Sequence, residues 1–192
     1  MHELQRVSAA PAVAGAVHES GHFVRVAESG LRGQVTLRGD LATPAMARAV
    51  NEAVGLAVPD RLRGNFDGPR AVLWMARDEL MLLLPYEEAR AAAAQASAAL
   101  SDTHHLAIDV SDARTIFTLT GENAAALLAK GAPVDLSETG FPVGTVRRTH
   151  LGEIAIAFWR REETVWEVMG FRSTAPHLAE WLRTSSLLGA AV

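Results

Sequence analysis

Histidines and paired carboxylates are the residues of this sequence best suited to metal binding or general acid–base chemistry. The adjacent histidines His104-His105 open a predicted strand. Neighbouring strand residues point to opposite faces, so the two imidazoles cannot readily bind one metal ion. The acidic pairs Glu87-Glu88 and Glu162-Glu163 lie at a predicted helix start and in a predicted turn, where acids stabilise the helix dipole or are solvated. These patterns favour structural side chains over metal ligands or catalytic groups.

Nucleophiles and phosphate-binding loops give no stronger signal. The sequence has no cysteine, which excludes a thiol nucleophile and an iron–sulfur cluster. It has no dinucleotide fingerprint, Walker loop or Gly-x-Ser-x-Gly elbow, and the segment from Gly30 to Gly33 is a predicted turn. Asp109 and Asp112 flank Ser111 at a predicted bend, where an Asx turn explains the acids. The sequence therefore predicts no catalytic, cofactor-binding or metal-binding residue in this chain.

Two arginine pairs, Arg147-Arg148 and Arg160-Arg161, fall on adjacent predicted strands. Strand alternation should send one arginine of each pair to each face of the sheet. Exposed sheet arginines are the default interpretation, and contact with an anion or with a partner's carboxylate is the alternative.

The large aromatic residues are expected to fill the core. The alternative is that one or two of them lie at an interface with a partner, where Trp is enriched. The residues concerned are Trp74, Trp159, Trp166 and Trp181.

Composition sets the broad class of the protein. The chain has 192 residues, 49% of them hydrophobic, with 18 basic and 22 acidic side chains. This balance indicates a globular protein without the basic footprint of a nucleic-acid-binding one. The longest strongly apolar run, residues 80–84, is far too short to cross a membrane, and residues 1–20 do not resemble a secretory signal. We expect a cytoplasmic protein with no nucleic-acid or membrane partner.

Hydrophobic periodicity and turn residues divide the chain into an arm and a domain. Residues 1–20 read as an N-terminal arm, and residues 21–192 as one globular domain. In the first half of that domain, alternation predicts a hairpin from about His22 to Arg38, and Thr43-Pro44 and Gly55 bound a helix. The remaining predicted elements are a loop (55–69), two strands (71–76 and 79–84) and an Ala-rich helix (87–100).

The same order of elements recurs in the second half, which predicts an internal repeat. The predicted elements are strands at 104–110 and 115–120, a helix at 122–130, strands at 145–151, 153–159 and 165–169, and a last helix after Ser173-Thr174. The segment 165–169 is extra relative to the first half. The halves match at a shift of 82 residues, which becomes 75 after the first helix and pairs Asp60 with Asp135 and Phe66 with Phe141. We therefore predict an α+β fold of two duplicated β-β-α-β-β-α halves, residues 22–100 and 104–187, related by pseudo-twofold symmetry.

An ordered set of short segments, mostly in the second half, resembles the gamma subunit of heterotetrameric sarcosine oxidase. The resemblance covers roughly residues 70–188. Its segments are Ile108 to Arg114, Leu119-Thr120-Gly121, Leu127 to Leu136, Phe141-Pro142-Val143-Gly144, Arg148-Thr149, Phe171-Arg172-Ser173 and Glu180-Trp181-Leu182. The resemblance implies a fold similar to the folate-binding fold of the glycine-cleavage aminomethyltransferase, which is itself a duplication.

The resemblance also implies a function. The chain would be a non-catalytic structural subunit in an oxidoreductase complex that demethylates sarcosine to glycine, as part of sarcosine catabolism. Its partners would be alpha, beta and delta subunits, mainly alpha, and the arm at residues 1–20 would contribute to the contact. FAD, FMN, NAD, zinc and tetrahydrofolate would be held by the other subunits, with no cofactor in this chain.

Two other classes stay open at this stage. One is a stand-alone aminomethyltransferase-like protein, for which the chain is about half the expected length. The other is a folate-binding module related to proteins of iron–sulfur and transfer-RNA maintenance, whose Lys-Gly-Cys motif is replaced here by Lys130-Gly131-Ala132.

Overall fold

The computed structural model describes residues 17–19 and 24–187. The strands are β1 (Val17–Glu19), β2 (Arg25–Glu28), β3 (Arg32–Arg38), β4 (Gly64–Asp67), β5 (Arg70–Ala76), β6 (Glu79–Pro85), β7 (Leu106–Asp109), β8 (Arg114–Thr120), β9 (Val146–Leu151), β10 (Ile154–Glu162) and β11 (Val165–Phe171). The α-helices are α1 (Pro44–Val54), α2 (Ala89–Ala99), α3 (Ala124–Ala129) and α4 (Ala175–Leu187). Short 3-10 turns, Tyr86–Glu88 and Arg172–Thr174, precede α2 and α4. Most of the predicted arm, residues 1–16, lies outside the described residues, and Val17–Glu19 forms a short strand that pairs with β2.

The strands form two antiparallel sheets that stack in the middle of the molecule. The six-stranded sheet has the order β1-β2-β8-β11-β10-β9, and the five-stranded sheet has the order β4-β5-β6-β3-β7. Helices α1 and α2 pack on the outer face of the five-stranded sheet, and α3 and α4 pack on the outer face of the six-stranded sheet. The two inner faces meet in a third apolar cluster. The α+β class predicted from the sequence is confirmed.

The two halves have matching strand orders with one strand exchanged. Strands β4-β5-β6-β3 of the first half correspond in order to β9-β10-β11-β8 of the second half. The first strand of each half pairs in the other half's sheet, because β2 lies beside β8 and β7 lies beside β3. The predicted hairpin from His22 to Arg38 is therefore wrong, since β2 and β3 belong to different sheets. Period-two alternation shows which face a residue occupies and does not identify the neighbouring strand.

The first half also has a strand within a segment that is predicted to be a loop. Strand β4 lies inside the predicted loop 55–69 and pairs with β5. Each half therefore has three strands between its two helices, and β11 is the counterpart of β6 instead of an extra strand. Pro59, Gly64, Gly68 and Pro69 in this segment favour a loop. In the structure, Gly64 begins the short strand and Gly68-Pro69 follow its end.

Contacts between the halves replace the shift of 75 with two larger shifts, first 82 and then 86. Arg63 and Thr145 form an isolated antiparallel bridge, flanked by Gly64 N–H to Gly144 O at 2.8 Å and by Val146 N–H to Leu62 O at 2.9 Å. A shift of 82 residues exchanges these two bonds, because it takes Leu62 to Gly144 and Gly64 to Val146. Farther on, Leu37 pairs with Leu80 as Leu119 pairs with Trp166, so the shift rises to 86. The predicted equivalences of Asp60 with Asp135 and of Phe66 with Phe141 are wrong.

Local signals fix the first helix. The Thr43 side chain accepts a hydrogen bond from the Met46 N–H, Pro44 starts the helix, and Gly55 ends it at φ 74°. A threonine cap satisfies a free amide of the first turn, and glycine adopts the left-handed conformation without a Cβ clash. The predicted bounds of 44–54 are confirmed. Among the described helices, none is long and apolar enough to cross a membrane.

Candidate functional site

The space between the two sheets has an apolar centre and charged residues at both ends. The centre contains inward-facing residues of β5, β6, β8, β9, β10 and β11. These residues are Ala71, Leu73, Met75, Met81, Leu83, Ile116, Val146, Ala157, Trp159 and Met169.

One end of this space is closed by an ion-pair cluster. Glu167 of β11 accepts a hydrogen bond from Arg32 Nη1 of β3 at 2.7 Å and another from Trp159 Nε1 of β10 at 2.7 Å. Arg161 Nη1 lies 3.5 Å from the same carboxylate. The two arginines also donate to backbone carbonyls, Arg32 to Pro69 and Arg161 to Gly68. We call these four side chains, Arg32, Trp159, Arg161 and Glu167, the closed cluster.

The closed cluster is suited to stabilising the fold. The Glu167 side chain is only 4% exposed and that of Arg32 is 14% exposed. Both carboxylate oxygens of Glu167 are engaged, so it has no oxygen left to act on a substrate. A buried carboxylate with charged and neutral donors is compensated for its loss of water.

The other end of the space is an open pocket of about 280 Å³. We call it the arginine pocket. Arg114 of β8 and Arg148 of β9 provide its arginine side chains, and Met75, Met169 and Phe171 are among its apolar lining residues. The Arg114 guanidinium lies over the Phe171 ring at 5.5 Å from its centre, and Phe171 remains 49% exposed.

The electrostatics of the arginine pocket are unbalanced. Burial lowers the pKa of Arg114, the negative charge of Glu79 opposes that effect, and the positive charge of Arg148 adds to it. The Arg114 Nη1 atom is buried without a hydrogen-bond partner. Within residues 17–19 and 24–187, neither guanidinium takes part in an ion pair or a hydrogen bond. Chemically, the pocket offers hydrogen-bond donors and positive charge above an apolar surface.

Strand alternation correctly predicted the faces of the arginine pairs. Arg147 lies over Phe141 at 5.6 Å on the helix-covered face, whereas Arg148 lines the arginine pocket. Arg160 lies over Trp166 on the outer face, whereas Arg161 belongs to the closed cluster. The four arginines thus have different surroundings, and Arg148 is the one that lines the arginine pocket.

Two of the four tryptophans are core residues of this chain. Trp159 and Trp166 are buried, and Trp166 packs against Phe141 with ring centres 4.9 Å apart. Trp74 and Trp181 are half-buried at the outer edges of the helix-covered clusters.

The histidine and acidic motifs occupy structural positions. His105 bonds through Nδ1 to the Thr103 carbonyl and through Nε2 to the Ser97 hydroxyl, both at 2.9 Å. Asp109 accepts from the Ser111 N–H at 3.0 Å, as an Asx turn requires. Glu88 pairs with Arg70 at 2.6 Å. In the part of the chain that the structure describes, no three His, Asp or Glu side chains are placed to hold a metal ion.

Sequence reasoning missed Arg32, Arg114 and Glu167. The available signal was a single carboxylate, Glu167, in the middle of the apolar run Val165–Phe171. An acid there is rarely buried unless it is paired. The run therefore predicts a basic partner for Glu167 on a neighbouring element. Arg32 and Arg114 gave no comparable signal, because Arg32 lies in the predicted turn from Gly30 to Gly33 and Arg114 lies just before the predicted strand 115–120.

Comparisons with known proteins agree with the geometry of the fold. The family described as the sarcosine oxidase gamma subunit family matches residues 38–187. A sarcosine oxidase subunit gamma from Corynebacterium sp. (strain P-1) is 34% identical over 137 residues, which are 70% of this chain and 66% of that protein. One from Arthrobacter sp. is 31% identical over 170 residues, which are 82% of each.

Solved structures show the same likeness. A chain of heterotetrameric sarcosine oxidase from Corynebacterium sp. U-96 superposes with a TM-score of 0.80 at 27% identity, and covers 92% of this chain and 90% of that one. Aminomethyltransferase T of the glycine cleavage system from Bartonella henselae superposes with a TM-score of 0.61 at 16% identity, over 82% of this chain and 44% of that one. The second match concerns the fold alone, and it confirms the predicted similarity to the aminomethyltransferase fold.

Proposed function

Because the chain belongs to the sarcosine oxidase gamma subunit family, we propose that it serves as a non-catalytic structural subunit of a complex that oxidatively demethylates sarcosine to glycine. The observation that carries this proposal is the TM-score of 0.80 to a chain of heterotetrameric sarcosine oxidase, over 92% of this chain. A match along almost the whole chain supports a shared place in an assembly more strongly than a local motif would.

The side chains of this subunit support the non-catalytic part of the proposal. The buried carboxylate of the closed cluster, Glu167, accepts hydrogen bonds from Arg32 and Trp159, and His105 forms hydrogen bonds through both ring nitrogens. The lining of the arginine pocket includes one hydroxyl, that of Thr149, and one imidazole, that of the exposed His150. This arrangement suits binding and packing better than bond cleavage.

We propose that the cofactors of the complex, namely FAD, FMN, NAD, zinc and tetrahydrofolate, are held by the other subunits. Two observations support this proposal for the dinucleotides and for zinc. The sequence lacks cysteine and a dinucleotide fingerprint, and the described residues contain no cluster of three metal-ligating side chains. We therefore derive no step of the reaction through a group held by this chain.

The proposed partners are the alpha, beta and delta subunits, with alpha as the main contact. We further propose that the N-terminal arm takes part in that contact. Strand β1 pairs with β2 at the edge of the six-stranded sheet, so the residues that precede it start from an edge at which another chain can dock. The arm contains Leu4, Val7 and Val13, and such a segment gains apolar contacts when it orders against a partner. A cytoplasmic location is part of the same proposal, and cell fractionation tests it.

Co-expression with the alpha, beta and delta chains tests the assembly. The full-length chain should co-purify in a complex whose mass fits one copy of each subunit. Two truncations separate the arm from the edge strand. Removal of residues 1–16 leaves β1 in place, and removal of residues 1–19 deletes it. Weaker assembly in both variants supports the arm contact, and unchanged assembly in both contradicts it. Failure of the full-length chain to associate contradicts the whole proposal.

A further inference from the structure

We propose that the arginine pocket binds the carboxylate of a small organic acid that has an apolar body. The proposal rests on Arg114, Arg148 and the apolar residues between them, and it does not depend on the subunit function proposed above.

Comparison of the two halves indicates what the arginine pocket lacks. Arg114 is the first residue of β8, as Arg32 is the first residue of β3. Glu167 is the third residue of β11, and the third residue of its counterpart β6 is Met81. Arg32 faces the Glu167 carboxylate at 2.7 Å. At the equivalent position Arg114 has a methionine. The charge of Glu79 still acts on Arg114, but no carboxylate forms an ion pair with it among the described residues.

The unmet donors of Arg114 make an anion the complementary ligand. Its Nη1 atom is buried and has no acceptor, which is costly for a charged group. The negative charge of Glu79 offsets part of that cost, and the nearby positive charge of Arg148 adds to it. A carboxylate between the two guanidiniums would accept hydrogen bonds from both and offset their mutual repulsion, and arginine binds carboxylates in a planar, two-bond geometry.

The rest of the lining selects the body of the ligand. Met75, Met169 and Phe171 form an apolar wall beside the two arginines. The volume of about 280 Å³ lies just below the range of about 300–1,000 Å³ for small-molecule sites. A polar phosphate would leave this wall without a partner, whereas an acid with a short hydrocarbon or ring would fill it. We therefore commit to a compact apolar carboxylic acid.

Benzoate is the probe, and benzamide is its neutral, nearly isosteric control. Binding to the full-length chain is measured by protein NMR titration and calorimetry, with inorganic phosphate as a further control. We expect saturable binding of benzoate and binding of benzamide and phosphate that is at least about tenfold weaker. Binding of benzamide or phosphate as strong as that of benzoate, or no saturable binding, would overturn the proposal.

Two arginine variants and one control locate the site. Arg114→Met and Arg148→Met should each weaken benzoate binding at least about tenfold. Arg90→Met removes the same charge from an exposed position on α2 and should leave binding unchanged. Unchanged binding in Arg148→Met, or an equal loss in Arg90→Met, would refute the assignment, and neither result depends on whether Arg114→Met folds well.

Thermal stability gives a second readout that a purely structural Arg114 would not produce. Without ligand, Arg114→Met should melt about 2–4 °C higher than the parent chain, because it removes an unmet buried donor. A lower melting temperature together with unchanged benzoate binding would show that Arg114 is only structural.

The assembled complex distinguishes a small ligand from a group supplied by a partner. Benzoate should bind the co-purified complex through the same arginines. If the free chain binds benzoate and the complex does not, a partner's own group fills the arginine pocket, and the small-ligand proposal is overturned. The free-chain result stands whether or not the complex forms, so failure of this proposal is separable from failure of the proposed function.

Discussion

Replacement of Glu167 by alanine tests the central interaction of the fold. The Glu167 side chain is 4% exposed and joins Arg32, Trp159 and Arg161 across two sheets. Its removal leaves three donors facing a space that cannot supply an acceptor. Arg32 is the main liability, because its side chain is 14% exposed and its Nε is already buried without a partner.

The expected loss follows from the cost of a stranded charge. Removal of one partner of a buried ion pair costs about 3–5 kcal/mol in the free energy of unfolding. For a domain of this size, each kcal/mol lowers the melting temperature by about 2–4 °C. Arg161 is 20% exposed and can turn towards water, so the lower part of the range is expected. We predict that Glu167→Ala lowers the free energy of unfolding by about 3–4 kcal/mol.

Denaturant unfolding of the full-length chain, followed by circular dichroism, measures this loss, and two further variants test its cause. Arg32→Ala should cost less than Glu167→Ala, because Glu167 would still accept from Trp159 and lie near Arg161. The double variant Arg32→Met, Glu167→Met should recover most of the stability, because an apolar pair can replace a buried ion pair. A loss below about 1 kcal/mol in Glu167→Ala, or no recovery in the double variant, would refute the reasoning.

Three smaller predictions concern local features. Thr43→Ala removes the cap of α1 and should cost about 1 kcal/mol in the free energy of unfolding, measured by denaturant titration. Gly131→Ala would place a Cβ 2.5 Å from a Trp181 ring carbon, and the same titration should show a loss of about 1–3 kcal/mol; no loss would mean that the contact is loose. Hydrogen bonds from the Ser137 N–H and hydroxyl lower the pKa of Asp135. This lowered pKa stabilises the fold above the ordinary aspartate pKa, and the effect disappears as the pH falls through the folded-state value. In Ser137→Ala, NMR titration should show the pKa of Asp135 partly raised, because the larger backbone contribution remains.

The features that the sequence predicted correctly depend on signals within a few residues of each feature. Thr43-Pro44 and Gly55 bound α1 because capping acts within a few residues of a helix end. Alternation predicted that the two arginines of each pair lie on opposite faces of the sheet for the same reason, since the two-residue period belongs to the strand itself. These predictions required no knowledge of which strands are neighbours.

The pairing of strands depends on segments that are distant in the sequence, so local patterns could not predict which strands are neighbours. The short strands β2 and β7 are exchanged between the halves, and each is separated by a sharp bend from the strand that follows it. The predicted shift of 82 pairs Leu106 and Ile108 with Val24 and Val26, which are buried. The structure leaves Leu106 45% and Ile108 46% exposed, because β7 places Ala107 on the covered face beside Leu37. An alternating pattern in an edge strand does not reveal whether the face it marks is covered.

The difference between the closed cluster and the arginine pocket follows from the strand register that relates the two halves. At a shift of 75 residues, the third strand of the second half has no counterpart, so Glu167 is compared with nothing. At the shift of 86 given by the strand pairings, Glu167 corresponds to Met81, and the difference between the two ends of the inter-sheet space stands out. The duplicated backbone provides two equivalent places for an arginine between the sheets. One place has an ion-paired carboxylate within the chain and is closed, and the other has no ion-paired carboxylate in the described part of the chain and is open to solvent. With methionine where the other half has glutamate, Arg114 lacks the partner that Arg32 has, which is why the arginine pocket is complementary to an external carboxylate.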